Sequence, residues 1–538
     1  MTRNARPARD RQRLRAGTAA VLLMIAPVLA GCKSAAERAA EASAKAQQLA
    51  SAGLYGAAQA EFDIAVQARD DLPDLWILRA RNQIAMQDYA GAFASYRNAL
   101  DQDRTNREAL DALSQLALAS NRIDDARDYA EQILALAPED PMAQLVLATV
   151  AFRTGRYDTA AQSVAKLLAQ TPDNERALVL SSRLEQRRDR FAQAIALLEP
   201  IFKAGGGSDE LRQQLTQLYA QQADGPGLLS IARRDAADRA QDAVAQRSFG
   251  KQLALSGDLN EAAVAFDAAH KIAPGDASRA KTVQALADVD VDPAAIAAAV
   301  DTLSAPQPDF VVALAEYAIA RGSYPVAASL LSAHPSADGA TAIDRDGVLA
   351  FLAAVGGQGD DARRRADAVL AEDSGEPYAL MARSLAEMAA GNGDAALRDA
   401  RGVVGDNQGF APGYAVLARI LTARGDKLLA EKAYFDAVNA DDDDPIALRQ
   451  LVTLLLARDR GIDAQNYLRS YTMHHPDSLF GWSLRRAVCQ RIGDSACAKR
   501  ATTLIARLHG AKLAVPPVPD DERSGERDYR DDYASDGS

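Results

Sequence analysis

Residues 73–106 read PDLWILRARNQIAMQDYAGAFASYRNALDQDRTN. Trp76 and Ala80 stand four apart in the first half, and Tyr89, Ala92, Tyr96 and Ala99 follow at three- and four-residue steps in the second. Both halves carry the spacing of an amphipathic helix. Gln87-Asp88 interrupts them with turn-forming residues. The stretch predicts two short helices folded against each other.

The same register continues on both sides. Stepping by 34 from Ala58 gives Ala92, Ala126, Ala160, Ala194, Leu228 and Ala262. Five residues before each lie Gly53, Gln87, Asn121, Gly155, Asp189, Ala223 and Gly257, most of them turn formers. Bulky residues such as Tyr55, Tyr89, Tyr157 and Phe191 come two after the turn, and Phe62, Tyr96, Leu198 and Phe266 come four after the alanine. A second array repeats the pattern at Ala362, Ala396, Ala430, Ala464 and Ala498, with turns at Gly357, Gly391, Gly425, Asp459 and Gly493. Alanine richness alone cannot keep several columns of different chemistry in phase. The turn residue separates the two helices, the alanine allows close approach where they cross, and the bulky residues reach the next block. One block cannot bury its own apolar face, so the blocks must stack into a solenoid.

These columns resemble the tetratricopeptide repeat (TPR). Block 411–444 shows them again in Tyr414, Leu417, Ala418, Gly425, Ala430, Tyr434 and Ala437. The resemblance implies an all-α fold: a TPR superhelical solenoid of about fourteen helical hairpins in two segments, 39–276 and 343–512. Residues 277–342 depart from the pattern and read as two imperfect repeats at a junction. Gly205-Gly206-Gly207 and Gly225-Pro226-Gly227 predict a slacker repeat between them.

Composition agrees. Of 538 residues, 48% are hydrophobic, 25% charged and only 5% aromatic. The net charge of −12 gives no basic face for nucleic acid. The one long apolar stretch lies at the N-terminus. Residues 1–15 carry six arginines against Asp10, then Ala16–Ala30 is apolar and closes on Leu29-Ala30-Gly31-Cys32. This has the form of a signal peptide over 1–31, and the last four residues resemble the bacterial lipobox. That resemblance implies lipidation of Cys32, a short lipidated linker over 32–38 and anchoring to a membrane through acyl chains. Lys33, in place of an aspartate, points to the outer membrane facing the periplasm. Loss of 1–31, which carries a net +5, leaves a chain near −17. The tail over 513–538 carries Pro516, Pro517 and Pro519, then eight acids and three arginines, a composition that predicts disorder.

No reaction chemistry assembles along the sequence. The five histidines show no metal-ligand spacing, and no phosphate-binding lysine motif is present. The expectation is no enzyme, no cofactor and no metal site, with Asp441–Asp444 a solvated loop between repeats. The TPR resemblance implies instead a concave groove lined by the first helices of successive repeats, holding a protein partner. Its lining would include Ile77, Leu145 and Val179, and a basic set of Arg81, Arg153, Arg176, Arg183, Arg187, Arg247 and Lys251 beside Phe152. Guanidinium groups on neighbouring helices suit a carboxylate. In the last repeat, Cys489 and Cys497 flank the turn at Gly493. Folding back there would bring the sulfurs within disulfide reach; two free packed thiols are the alternative. Similar TPR lipoproteins accompany exopolysaccharide synthesis and export, and others pilus or outer-membrane protein assembly. A glycan-binding or regulatory partner of a cell-wall enzyme is a further reading.

Overall fold

The computed structural model describes residues 33–335 and 339–515. The signal segment, Cys32 and most of the acidic tail lie outside the described residues. Those described form 28 helices, paired as fourteen hairpins. They fall into two compact units that divide between Val146 and Leu147. The division lies inside the first sequence array rather than at the degenerate segment 277–342.

The first unit holds α1 (Ala35–Ser51) with α2 (Tyr55–Ala68), α3 (Pro73–Ala85) with α4 (Tyr89–Gln102), and α5 (Arg107–Ala119) with α6 (Ile123–Leu136). Helix α1 starts within the expected linker, fixed by a capping box between Ser34 and Glu37. The boundary falls within α7 (Pro141–Arg153).

The second unit continues with α8 (Tyr157–Gln170), α9 (Glu175–Arg187), α10 (Phe191–Lys203), α11 (Asp209–Gln221), α12 (Gly225–Asp238), α13 (Ala243–Ser256) and α14 (Leu259–Ile272). The two imperfect repeats are α15 (Asp276–Asp288) with a short α16 (Pro293–Val300), and α17 (Pro308–Ala320) with α18 (Tyr324–Ala333). Then come α19 (Gly339–Val355), α20 (Gly359–Glu372), α21 (Pro377–Ala389), α22 (Gly393–Asp406), α23 (Ala411–Ala423) and α24 (Lys427–Ala440). The unit ends with α25 (Pro445–Ala457), α26 (Gly461–His474), α27 (Leu479–Ile492) and α28 (Ser495–Leu508).

Two periodic devices punctuate the chain. Every turn-column residue named above has a left-handed backbone, including Gln87, Asn121, Asp189, Ala223 and Asp459, which lack glycine's freedom. The amide after the turn reaches back to the first helix, as Asp88 to the Gln83 carbonyl at 2.8 Å and Asp426 to that of Leu421 at 2.9 Å. This is the Schellman closure of a helix end. The imperfect repeats keep it at Asp290 and Gly322. At the opposite end of the first helices, a polar side chain recurs every 34 residues as the N-cap: Asn106, Asp140 and Asn174 each accept from a backbone N–H three residues on, at 2.8–3.1 Å.

The alanine column is buried, with Ala58, Ala92, Ala126, Ala160, Ala194, Ala262, Ala362, Ala396 and Ala464 all inaccessible to solvent. Ala498 is only half-buried, and Cys497 takes the inward place beside it.

The second unit turns back on itself: α15 packs against α25 and α27, and α12 against α28. One apolar core therefore runs from Ala223 to Leu508. This corrects the reading of Gly225-Pro226-Gly227 as slack. A Cβ on Gly225 would lie 1.8 Å from the Leu508 carbonyl oxygen, and one on Gly227 2.6 Å from the Tyr219 ring. These glycines admit a neighbour rather than loosen a turn. The return is sealed by polar bonds. Lys251 sits between Asp288, at 2.6 Å, and Asp477, at 3.0 Å. Tyr471 donates to Asp288 at 2.9 Å, Arg449 to Asp290 at 2.6 Å, and Arg507 to the Gln222 carbonyl at 2.7 Å.

Candidate functional site

The expected basic lining is largely answered by the chain's own groups. Arg81, in the first unit, forms a two-pronged pair with Glu108 at 2.6 and 2.5 Å. In the second unit Arg183 lies 3.2 Å from Glu210 and donates to Gln214 at 3.3 Å. Arg187 covers the face of Tyr157 at 4.3 Å, and Phe152 meets that ring edge-on at 5.6 Å. Arg153 is half-buried; burial first, and the charge of Arg183 second, hold its pKa below the usual guanidinium range. Arg247 donates to Ser278 at 2.8 Å, while Arg176 is exposed.

Three expectations are corrected. Lys251 does not line an open groove, because the returning α26–α27 segment encloses it with Asp288 and Asp477. Ile77, Leu145 and Val179, expected on the groove face, are buried at 6%, 6% and 1% exposure. Asp444 is not solvated: it is 5% exposed and caps α25 by accepting from the Ile446 N–H at 2.7 Å.

A different polar site forms further along the array. Helices α15, α17, α19, α21, α23 and α25 are the first helices of six successive hairpins, and their residues line one cavity of about 360 Å³. The stacking of repeats brings them together. Arg279 of α15 projects among four carboxylates. It lies 2.8 Å from Asp309, 2.7 Å from Asp276, 2.7 Å from Asp344 and 3.6 Å from Glu316. Glu376 and Asp444 join the wall from the N-caps of α21 and α25. Gly347 makes room for Glu376, since a Cβ there would fall 2.1 Å from its carboxylate.

Four carboxyl groups thus surround one guanidinium, and two more stand in the same cavity wall. Burial pushes Glu316 up to about 7, against the pull of Arg279, and the charge of Asp344 adds to the rise. Burial likewise pushes Glu376 up to about 8, despite backbone N–H bonds from Ala379 and Tyr378. Asp444 is pushed up to about 7 by burial and by Asp441, against the Ile446 N–H. Asp309 behaves oppositely. Burial opposes its ionisation, but His270, the Gly275 N–H and Arg279 together hold it well below the usual carboxylate range. Tyr378 stands in the cavity wall at 2% exposure, its ring edge-on to Phe351 and Phe410.

None of these acids belongs to the basic lining expected above. A signal for them exists. Glu376 and Asp444 are two repeats apart, 68 residues, and Asp276, Asp309 and Asp344 recur at nearly the repeat interval. Acids set at about the repeat interval along the first helices come to one side once those repeats stack.

In the final hairpin, α27 and α28 bring Cys489 and Cys497 together, Cα atoms 5.9 Å apart and sulfurs joined. Both are buried, and Asp494 caps α28 by accepting from the Cys497 N–H at 2.9 Å.

Residues 112–175, from α5 to the start of α9, match the family profile described as tetratricopeptide repeat. The fold is an all-α solenoid of TPR-like hairpins. No curated protein matches the sequence. Among solved structures, the chain is similar to PilW, described as a widely conserved type IV pilus biogenesis factor, at 16% identity. That match covers 37% of this chain and 92% of that one, with a TM-score of 0.32. It is similar to YrrB, described as a TPR protein with an unusual peptide-binding site, at 17% identity over 30% of this chain and 83% of that one, TM-score 0.27. It is also similar to a thermophilic TPR protein of Thermus thermophilus, at 18% identity over 34% of this chain and 98% of that one, TM-score 0.27.

Proposed function

We propose that this TPR protein is a lipid-anchored scaffold that holds a protein partner in an assembly of the bacterial envelope, in the service of exopolysaccharide synthesis or export. The observation that carries the scaffold reading is the shared cavity: six successive hairpins each present their first helix to one polar space. Such a surface suits an elongated ligand contacted repeat by repeat. The envelope location rests on the sequence, on the arginine-rich and apolar run ending in Leu29-Ala30-Gly31-Cys32. A buried cysteine pair also fits an oxidising compartment.

One preparation tests both halves. Membranes carrying the full chain are crosslinked and extracted with detergent, beside a Cys32→Ala variant. The wild type should partition into detergent and carry crosslinked protein partners, while Cys32→Ala should remain an unprocessed precursor without lipid. A variant that is still processed and still partitions would overturn the anchor. A wild type without reproducible partners would overturn the scaffold.

A further inference from the structure

We propose that the cavity around Glu316 receives a cationic side chain, a lysine or arginine, of an extended partner segment. The inference rests on the scaffold reading and names the chemistry of what is held. The charge imbalance is the first ground. Arg279 pairs with Asp276, Asp309, Glu316 and Asp344 and donates hydrogen bonds to the first two, while Glu376 and Asp444 add to the same cavity wall. Glu316 lies 3.6 Å from Arg279 and makes no hydrogen bond within the described residues, although its side chain is only 13% exposed. The guanidinium beside it is shared with three other carboxylates, so the charge of Glu316 is only partly answered.

The second ground is Tyr378. The residue is 2% exposed, it lines the cavity, and its hydroxyl makes no hydrogen bond within the described residues. A hydroxyl that borders a cavity without an internal partner is open to one supplied by a ligand. Glu316, Glu376 and Arg279 all act electrostatically on that hydroxyl, which places it among the cavity's charged groups. An ammonium or guanidinium group brings several donors at once. It could answer both the Glu316 carboxylate and the phenolic oxygen.

A bare divalent cation fits less well. Arg279 already occupies the centre of the acids, where a small ion would have to gather their oxygens. Glu376 is committed to the Tyr378 and Ala379 N–H groups as a cap. Few carboxylates are left to converge on one point, and calcium takes about six to eight oxygens. A side chain entering from the open end asks only for Glu316, Tyr378 and the surrounding negative field.

The test uses the full chain in detergent and a fluorescein-labelled hexapeptide, Gly-Ser-Lys-Lys-Ser-Gly, with a twin carrying glutamates for lysines. Fluorescence anisotropy should show the lysine peptide bound and the glutamate twin unbound. Glu316→Gln should weaken binding at least tenfold. Tyr378→Phe should weaken it several-fold with unchanged thermal stability, because the ring packing is kept and no internal bond is lost. This second variant keeps the test decisive if Glu316→Gln does not fold. Absence of binding by the wild type, or equal binding by wild type and Tyr378→Phe, overturns the proposal. So does displacement of the peptide by micromolar calcium chloride. If Tyr378→Phe and Glu316→Gln retain every partner crosslinked to the wild type, the cavity is not the contact and this proposal falls, while the scaffold reading stands.

Discussion

Lys251 and Asp477 are separated by 226 positions in the chain and by 3.0 Å in space. The pair records the return of the array on itself. A straight stack of hairpins gives such residues no reason to meet. Here the returning α26–α27 segment delivers Asp477 to a lysine that already faces Asp288. Burial alone would favour the neutral amine, but the two aspartates hold the ammonium charged, well above its usual range.

Asp477→Ala should therefore lower stability by about 1–3 kcal/mol, since Lys251 keeps Asp288 but loses one charged partner. Gly225→Ala should cost more, because the Leu508 backbone cannot yield as a side chain can. Urea unfolding of the full chain followed by circular dichroism measures both. Wild-type midpoints for the two variants would show that the contact between α12, α13 and the last hairpins contributes nothing to stability.

The left-handed turn column gives a prediction in the opposite direction. Gln87 holds φ at 61° and is exposed, so its side chain gains little packing for the strain. Gln87→Gly should stabilise the first unit by about 0.5–1 kcal/mol. Gly391→Ala, at φ 85°, should destabilise by a similar amount or more. Equal midpoints for Gln87→Gly and the wild type would mean that the added freedom of glycine in the unfolded chain offsets the relief.

Stability should fall as the solution is made more alkaline. Glu316, Glu376 and Asp444 have folded pKa values of about 7, 8 and 7, raised above those of the unfolded chain. Between about pH 4.5 and 8 the folded state then binds more protons than the unfolded state, so unfolding releases protons and becomes easier as pH rises. Each group contributes a slope of at most about 1.4 kcal/mol per pH unit inside its own window. Asp309 acts in the other direction and loses its contribution only on stronger acidification. Thermal midpoints in one buffer series should decline from about pH 5 to 8, and Glu316→Gln should flatten the decline. A midpoint that rises steadily over that range would contradict the burial of these acids.

The cysteine pair makes a redox prediction. With Cys489 and Cys497 joined across the last turn, protein isolated from membranes under alkylating and denaturing conditions should show no free thiol outside Cys32. Reduction should loosen the terminal hairpin by about 2 kcal/mol, the modest effect of a short closed loop. Two free thiols in freshly isolated protein would show that the pair packs unbonded.

The repeat, its 34-residue step and the ends of its helices are legible in the sequence because they are local. A left-handed residue, an N-cap and a buried alanine are each required within one hairpin, whatever lies elsewhere. Ala92 between its helices, Asn106 at a helix start and Gln87 in its turn needed no distant information. The site was not legible in that way. The basic residues from Arg153 to Lys251 stand out as a list of charges, yet Glu210, Gln214, Ser278, Asp288 and Asp477 answer several of them. Asp444 reads as one acid in a run of four, and only burial separates it from its exposed neighbour Asp443. Stacking decides which column faces inward, and the return of the array decides which part of that face stays open. The sum of small rotations between hairpins sets both, and each rotation depends on how whole side-chain surfaces pack. Gly225 shows the limit best: the sequence offers a flexible turn, and the tertiary structure uses its missing Cβ to seat the carbonyl of Leu508.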